Sequence, residues 1–215
     1  MNTPRFDMYT LVHKGQRRKL FELTVTAGQL AAADHASREA LVADLTTTLA
    51  AIEEHAKAEE EFIGPLYREA ASGVGSHLAA DHVKMHADIA ELRITVSAAT
   101  EDPSAVSILA LYRSLASFTA NYLAHVDAEE RSMPALWARF DDATLVRAQG
   151  ALVASHPPAV VQFNLKNMLP AASSAERVNF LANLRRNMPA PAFSGLRTFV
   201  GPLVSATEWS QIDAA

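Results

Sequence analysis

The chain has 215 residues, a net charge of −5 and 49% hydrophobic residues, a balance that predicts a folded protein and excludes extensive disorder. It carries no basic patch, so we expect no nucleic-acid partner, and no apolar run approaches the roughly 18 residues that cross a membrane. Because cysteine is absent, disulfides and thiolate metal sites are excluded. The first ten residues lack a signal-peptide pattern, so we expect a cytoplasmic protein.

Good helix formers and sparse glycine predict a chain that is helical almost throughout. In chain order, the first part of the sequence predicts four long helices, over residues 7–33, 38–71, 77–98 and 104–140. We expect the second helix to bend at Pro65 and the fourth near Pro134, because proline removes a backbone donor. Residues 72–76 contain two glycines and predict a break. The series predicts an all-α, up-down-up-down four-helix bundle.

After residue 140 the pattern changes to short helices separated by prolines. Within this part, Ser173 and Glu176 form a capping-box pattern that opens a helix. We therefore predict a bundle domain over residues 1–140 and an extension of several short helices over residues 141–215. The extension carries many large apolar side chains, so we expect it to pack on the bundle or on a partner chain. The second arrangement would make a homodimer.

Two stretches of the sequence, seventy residues apart, repeat one pattern in which a glutamate follows a histidine by four residues. The first pair is His55 and Glu59, and the second is His125 and Glu129. On a helix this spacing places both side chains on the same face, one turn apart. In the fourth predicted helix the apolar stripe runs directly into the second pair, so that pair faces inward. Buried polar groups are costly there unless something satisfies them.

A second repeat precedes the first and adds single histidines. His13 lies 42 residues before His55, and His82 lies 43 residues before His125. His86 follows His82 by four residues, where the first half of the repeat has Arg17 instead. The two halves together predict one metal site with two-fold-like symmetry, with candidate ligands His13, His55, Glu59, His82, His86, His125 and Glu129.

The residue types of this predicted site indicate which ions it suits. Imidazole and carboxylate without thiolate favour a pair of iron or manganese ions, and zinc can also occupy such a site. A carboxylate has two oxygens, so one glutamate from each half could bridge two ions. Five neutral imidazoles and two carboxylates leave the ligands with a charge of only −2, so we expect a bridging oxide or hydroxide as well.

The combined motif resembles the hemerythrin-like, or HHE cation-binding, family over residues 8–140. It consists of a lone histidine, a His-x-x-x-Glu, a His-x-x-x-His and a second His-x-x-x-Glu, one on each predicted long helix. The resemblance implies a non-haem di-iron centre inside a four-helix bundle. It also implies O2 or another small diatomic molecule as the partner.

Carried over to this chain, the resemblance implies that His13 and His55 hold one iron while His82, His86 and His125 hold the other. The glutamates of the two His-x-x-x-Glu pairs would bridge the two irons. The iron with fewer histidines would keep an open position where O2 could bind.

The second bridging carboxylate has two candidates. In the O2-carrying members of the family it is an aspartate five residues after its histidine, and here that position is Glu130. We choose Glu129 because it corresponds to Glu59 in the internal repeat, which makes Glu130 correspond to Glu60.

The histidine-rich ligand set favours mild chemistry, so we expect a non-haem di-iron protein that binds, senses or stores O2 or iron. The alternative is a di-iron redox enzyme acting on peroxide, nitric oxide or another small molecule, since an open iron position could also activate such a substrate. A third hypothesis gives the extension the main role, in dimerisation or partner docking, with the metal bracing the bundle.

Overall fold

The protein is represented by a computed structural model that describes residues 5–70 and 73–215. Within these residues it is all-helical and has no strand, which confirms the predicted fold class. The helices up to residue 139 are α1 (Thr10–Gln29), α2 (His35–Phe62), α3 (Gly64–Glu69), α4 (Val74–Glu101) and α5 (Ala105–Arg139). None of the described helices is both long enough and apolar enough to cross a membrane.

The predicted second helix is divided in the structure. α2 ends at Phe62, Ile63 separates it from α3, and Pro65 lies in the first turn of that short helix. Proline is tolerated there because the first backbone N–H groups of a helix have no partner within it. Pro134 behaves differently, since α5 continues through it to Arg139. The expected bend at Pro65 is therefore a helix boundary.

The break predicted for residues 72–76 ends earlier than expected. Gly73 has a left-handed φ of 70° and α4 begins directly after it, whereas Ser72 lies outside the described residues. Gly75 is already helical, as the second residue of α4, and a Cβ there would lie 2.9 Å from the Cβ of Tyr67. Gly75 thus allows α3 and α4 to approach closely, and it does not break the helix.

The contacts between neighbouring long helices run in opposite directions, since residue numbers fall along one helix as they rise along the other. α1 packs on α2 and α5, and α4 packs on α2 and α5. The contacts that define this order are His13 with His55, Lys19 with Asp44, His82 with Glu60, Arg93 with Glu53, His82 with His125, Asn121 with Asp88, His13 with Glu130, and Thr24 with Thr119.

Two apolar clusters lie along these helices, and both contain residues of several helices. The larger cluster is built from α1, α2, α4 and α5 and includes Leu20, Leu45, Leu49, Ile52, Ile89, Leu92, Leu111 and Leu115. The second cluster lies towards the other end and includes Tyr9, Ile63, Tyr67, Leu78, Met133, Leu136 and Leu145. Six of the candidate metal ligands lie where these two sets meet along the long helices, whereas His86 lies within the stretch of the larger set.

The chain after α5 forms shorter helices, and its residues 165–212 contain a third apolar cluster. They are α6 (Asp142–Ser155), α7 (Pro158–Ala171), α8 (Ser174–Asn187), α9 (Ala190–Val200) and α10 (Ala206–Ala214), with a 3-10 turn at Gly201–Leu203. The capping box expected at Ser173 and Glu176 is present at the start of α8. α7 packs on α1, and α6 packs on α2.

The contact between α1 and α7 depends on a glycine. A Cβ added at Gly15 would lie 2.7 Å from the backbone nitrogen of Met168 and 2.8 Å from its Cα. Backbone atoms cannot move aside as a flexible side chain can, so the two helices approach closely only because Gly15 has no side chain.

We expect Gly15→Ala to lower the free energy of unfolding by about 1–3 kcal/mol, because the added methyl group overpacks the α1–α7 contact. Gly150→Ala is the matched control: Gly150 is a helical residue of α6, and a Cβ there would have nothing within 4 Å. Alanine at that position should stabilise by about 0.5–1 kcal/mol. Urea unfolding of both variants tests this, and a Gly15→Ala protein as stable as the parent would contradict the close α1–α7 packing.

Candidate metal centre

Six of the seven predicted ligands converge inside the four long helices. Each helix contributes from its inward face, and none of the six residues is more than 7% exposed. They are His13 from α1, His55 and Glu59 from α2, His82 from α4, and His125 and Glu129 from α5. The six side chains come together because, on each of the four helices, they lie where one apolar cluster ends and the other begins.

These six side chains form two groups that share a residue. One group is His13, His55 and Glu59, and the other is Glu59, His82, His125 and Glu129. Within each group one ligand atom per residue lies within 4.8 Å of the others, a spacing at which a metal ion could be held. The histidines are thus arranged as two pairs, one on α1 and α2 and the other on α4 and α5.

Glu59 extends between the two histidine pairs. Its Oε1 lies 3.0 Å from Nε2 of His55, and its Oε2 lies 3.7 Å from Nε2 of His82. The two oxygens of one carboxylate therefore face different pairs.

Glu129 has the same arrangement from the opposite side. Its Oε2 lies 3.3 Å from Nε2 of His13, while its Oε1 lies 3.3 Å from Nε2 of His125 and 3.5 Å from Nε2 of His82. Both carboxylates therefore turn one oxygen towards each histidine pair.

The polar atoms at the centre of this arrangement lack hydrogen-bond partners within the protein. The buried atoms concerned are Nε2 of His13, His55 and His82, both oxygens of Glu59, and Oε2 of Glu129. A buried donor or acceptor without a partner costs about 1–3 kcal/mol, so several at one point call for a common partner. Neutral imidazoles and carboxylates without thiolate are ligands that suit iron, manganese and zinc, so the residues present fit a metal centre.

Burial sets the protonation of the site. It lowers the pKa of His55 to about 3 and that of His125 to about 4, because a charged imidazolium is poorly solvated there. Burial raises the pKa of Glu59 above its usual value. Burial also acts to lower the pKa of His82, but the nearby carboxylates of Glu129, Glu59 and Glu60 outweigh it and raise the pKa.

A carboxylate outside the centre orients the ring of His13. Nδ1 of His13 donates to Oε1 of Glu130 over 3.1 Å, and Arg17 donates to both oxygens of Glu130, at 2.6 and 3.1 Å. Burial acts to raise the pKa of Glu130, but these hydrogen bonds lower it to about 2. With Nδ1 engaged, Nε2 of His13 is left to face the centre.

His82 is held in the same way by the corresponding residue of the repeat. Its Nδ1 donates to Oε1 of Glu60 over 3.1 Å, and the side chain of Glu60 is 50% exposed. Glu60 and Glu130 thus occupy equivalent positions next to the centre, while Glu59 and Glu129 occupy it. The hydrogen bonds from Arg17 to Glu130 were not predicted from the sequence. The internal repeat could have indicated them, because Arg17 occupies the position that corresponds to His86 in the other half.

His86 is the one predicted ligand that the structure does not bring to the others. It is exposed on α4, and it belongs to neither group. The inward face of α4 carries His82, Met85 and Ile89, which are all buried. Met85 and His86 lie on opposite sides of His82 around the helix. The burial of Met85 and Ile89 places the inward face on the Met85 side, so His86 is exposed and turned away from the centre.

Two buried tyrosines flank the histidine pairs. The ring of Tyr9 stacks on His13 with 5.2 Å between centroids, and Tyr122 lies 6.0 Å from the ring of His125. Burial, reinforced by the charges of Glu59 and Glu129, raises the pKa of both hydroxyls well above the usual value. Both tyrosine side chains next to the histidines therefore stay uncharged at neutral pH.

Comparison with known protein families gives a match over most of the long helices. The family described as the Hemerythrin HHE cation binding domain matches residues 6–137. This range is more than half of the chain, and it contains all six converging side chains. No curated protein and no solved structure matches the chain significantly.

We expect Glu59→Gln to abolish binding of both metal ions, because this carboxylate faces both histidine pairs. His86→Ala is the control on α4 and should leave metal content unchanged, since His86 is exposed. Metal analysis after anaerobic loading with ferrous iron and desalting measures both. Loss of metal in His86→Ala, or full metal content in Glu59→Gln, would contradict this ligand assignment.

Metal affinity should fall as the pH is lowered from about 8 to about 5, because ligands must lose their protons to bind. The raised pKa values of His82 and Glu59 mean that both stay protonated to higher pH than free side chains do. His55 and His125, with lowered pKa values, remain neutral over this range. Competition with a chelator at each pH provides the measurement, after correction for the chelator's own protonation. An affinity that does not change would count against this centre.

Proposed function

Because the chain belongs to the hemerythrin HHE cation-binding family, we propose that it holds two iron ions among its long helices and uses them to bind, sense or store O2 or iron. The observation that carries this proposal is the placement of Glu59 and Glu129. Each is buried, and each turns one oxygen towards each of the two histidine pairs.

In this proposal His13 and His55 hold one ion, and His82 and His125 hold the other. Each ion would then have two imidazoles and a share in two carboxylates. When bound, such an ion pair supplies a redox-active, Lewis-acidic centre. The absence of thiolate favours iron or manganese, and zinc is the competitor to be expected from its affinity for imidazole.

The remaining residues have roles that do not depend on the identity of the ion. Glu60 and Glu130 fix the rings of His82 and His13, so that Nε2 faces the centre in each. The aromatic rings next to the histidines exclude water from the centre, and their hydroxyl groups stay protonated at neutral pH.

We also propose that α1, α2, α4 and α5 form an up-down-up-down bundle within a domain of residues 1–140. The antiparallel order of contacts along each neighbouring pair supports this topology. Residues 141–215 would then be a helical extension, and the packing of α6 and α7 on α2 and α1 supports its attachment to the bundle of its own chain.

A second candidate function is a di-iron redox enzyme that acts on peroxide, nitric oxide or another small molecule. Its support is a surface cleft that reaches the ring of His125, through which a substrate could arrive. Repeated consumption of peroxide or nitric oxide by the iron-loaded protein would favour the enzyme. Return of O2 unchanged when its pressure is lowered would favour a carrier.

Ferrous iron added without air, followed by exposure to air, should leave two irons per chain and produce a near-ultraviolet charge-transfer band. Iron loading should also raise the melting temperature, because an ion that binds only the folded state stabilises it. Zinc is the control and should raise the melting temperature without producing the band. A protein that retains no iron and shows no band would overturn the proposal.

A further inference from the structure

A cleft of about 220 Å³ opens on the surface between α4 and α5 and ends at His125. Its outer part is polar, with Asp81 and Lys84 on α4 and Asn121 on α5. The inner part is formed by Met85 and the two aromatic rings Phe118 and Tyr122, all of them buried.

His125 lines the inner end of this α4–α5 cleft, and one of its ring nitrogens makes no hydrogen bond with the described residues. Its side chain is only 7% exposed, yet its Nδ1 has no hydrogen-bond partner. The nearest carboxylate oxygen, on Asp81, is 3.8 Å away and too distant for a hydrogen bond. His13 and His82 differ, because a carboxylate engages the corresponding nitrogen in each.

The same side of the centre lacks the third imidazole that the sequence predicted. His86 is turned outwards, and the inward position on that turn belongs to Met85, which lines the α4–α5 cleft. A thioether is a poor ligand for iron compared with imidazole. The end with His82 and His125 therefore offers two imidazoles, as does the end with His13 and His55.

The opposite side of the centre is covered by the extension. α7 packs on α1, and α6 packs on α2, which are the helices that carry His13 and His55. The extension packs closely on α1, since the backbone of α7 lies against Gly15. Lys14 also forms an ion pair with Glu176 of α8 over 2.5 Å. His13 is fully buried.

From this asymmetry we propose that a small exogenous ligand reaches the metal pair through the α4–α5 cleft, from the end held by His82 and His125; this rests on the proposed function. The resemblance alone implied the opposite end, at His13 and His55, for the open position. The apolar inner part suits a small ligand such as O2 or peroxide.

The test uses the full chain loaded with two ferric ions, and azide as a small probe that binds ferric iron without being consumed. Ala124→Phe places a large ring at the edge of the cleft, where Ala124 is exposed. Ala110→Phe makes the same change at an exposed position of α5 that does not line the cleft. Lys14→Ala removes the ion pair that holds the extension on α1.

Stopped-flow measurement should show that Ala124→Phe slows azide association by about tenfold or more, since a blocked approach lowers the association rate. Ala110→Phe and Lys14→Ala should associate at the parent's rate, and all variants should retain two irons per chain. Parent-like association in Ala124→Phe, or faster association in Lys14→Ala, would overturn the proposed route.

Failure of the route is distinguishable from failure of the metal centre. If the parent holds two irons and binds azide while Ala124→Phe behaves identically, the route is wrong and the proposed function stands. If the parent protein cannot be loaded with iron, the proposed route and the proposed function are both wrong. Iron content and circular dichroism of each variant separate a blocked cleft from a damaged site.

Discussion

The structure depends on the burial of two carboxylates at one point in an apolar interior. Glu59 and Glu129 are 3% and 1% exposed, and each is surrounded by imidazole nitrogens that lack hydrogen bonds. Removing a carboxylate from water is strongly unfavourable unless positive charge or hydrogen bonds replace the water. Cations shared between the two glutamates would supply that charge. The four long helices therefore have to bring their histidines and glutamates to the same place in the interior, with one apolar cluster on each side of it.

The two halves of the sequence repeat, but their surroundings differ. Next to the centre, Glu130 is held by Arg17 and is largely covered, whereas the corresponding Glu60 is half exposed. The extension adds a larger difference, because α6 and α7 cover the helices of only one half. A ligand set with two-fold-like symmetry thus sits in an unsymmetrical protein, and one end of the centre is more accessible than the other.

Much of the fold and of the site could be predicted because it depends on local periodicity. Four residues are close to one helical turn, so His55 with Glu59 and His125 with Glu129 had to share a face wherever the helices packed. The same spacing did not place His86, because His82 lies at one edge of the inward face of α4: its neighbour on the inward side is Met85, and His86 lies on the exposed side. The internal repeat chose Glu129 over Glu130, and the structure places Glu129 among the histidines and Glu130 beside Arg17.

The sequence by itself determined the helical class, the approximate helix positions and the residue types of the centre, because these follow from spacing and composition along one chain. Only the tertiary structure decided which faces meet, because that depends on packing between helices distant in sequence. It divided the predicted second helix at Ile63 and turned His86 outwards. It also laid the extension over α1 and α2, since Gly15 leaves room there for the backbone of α7. No local pattern specifies such a contact, for it requires two surfaces to fit.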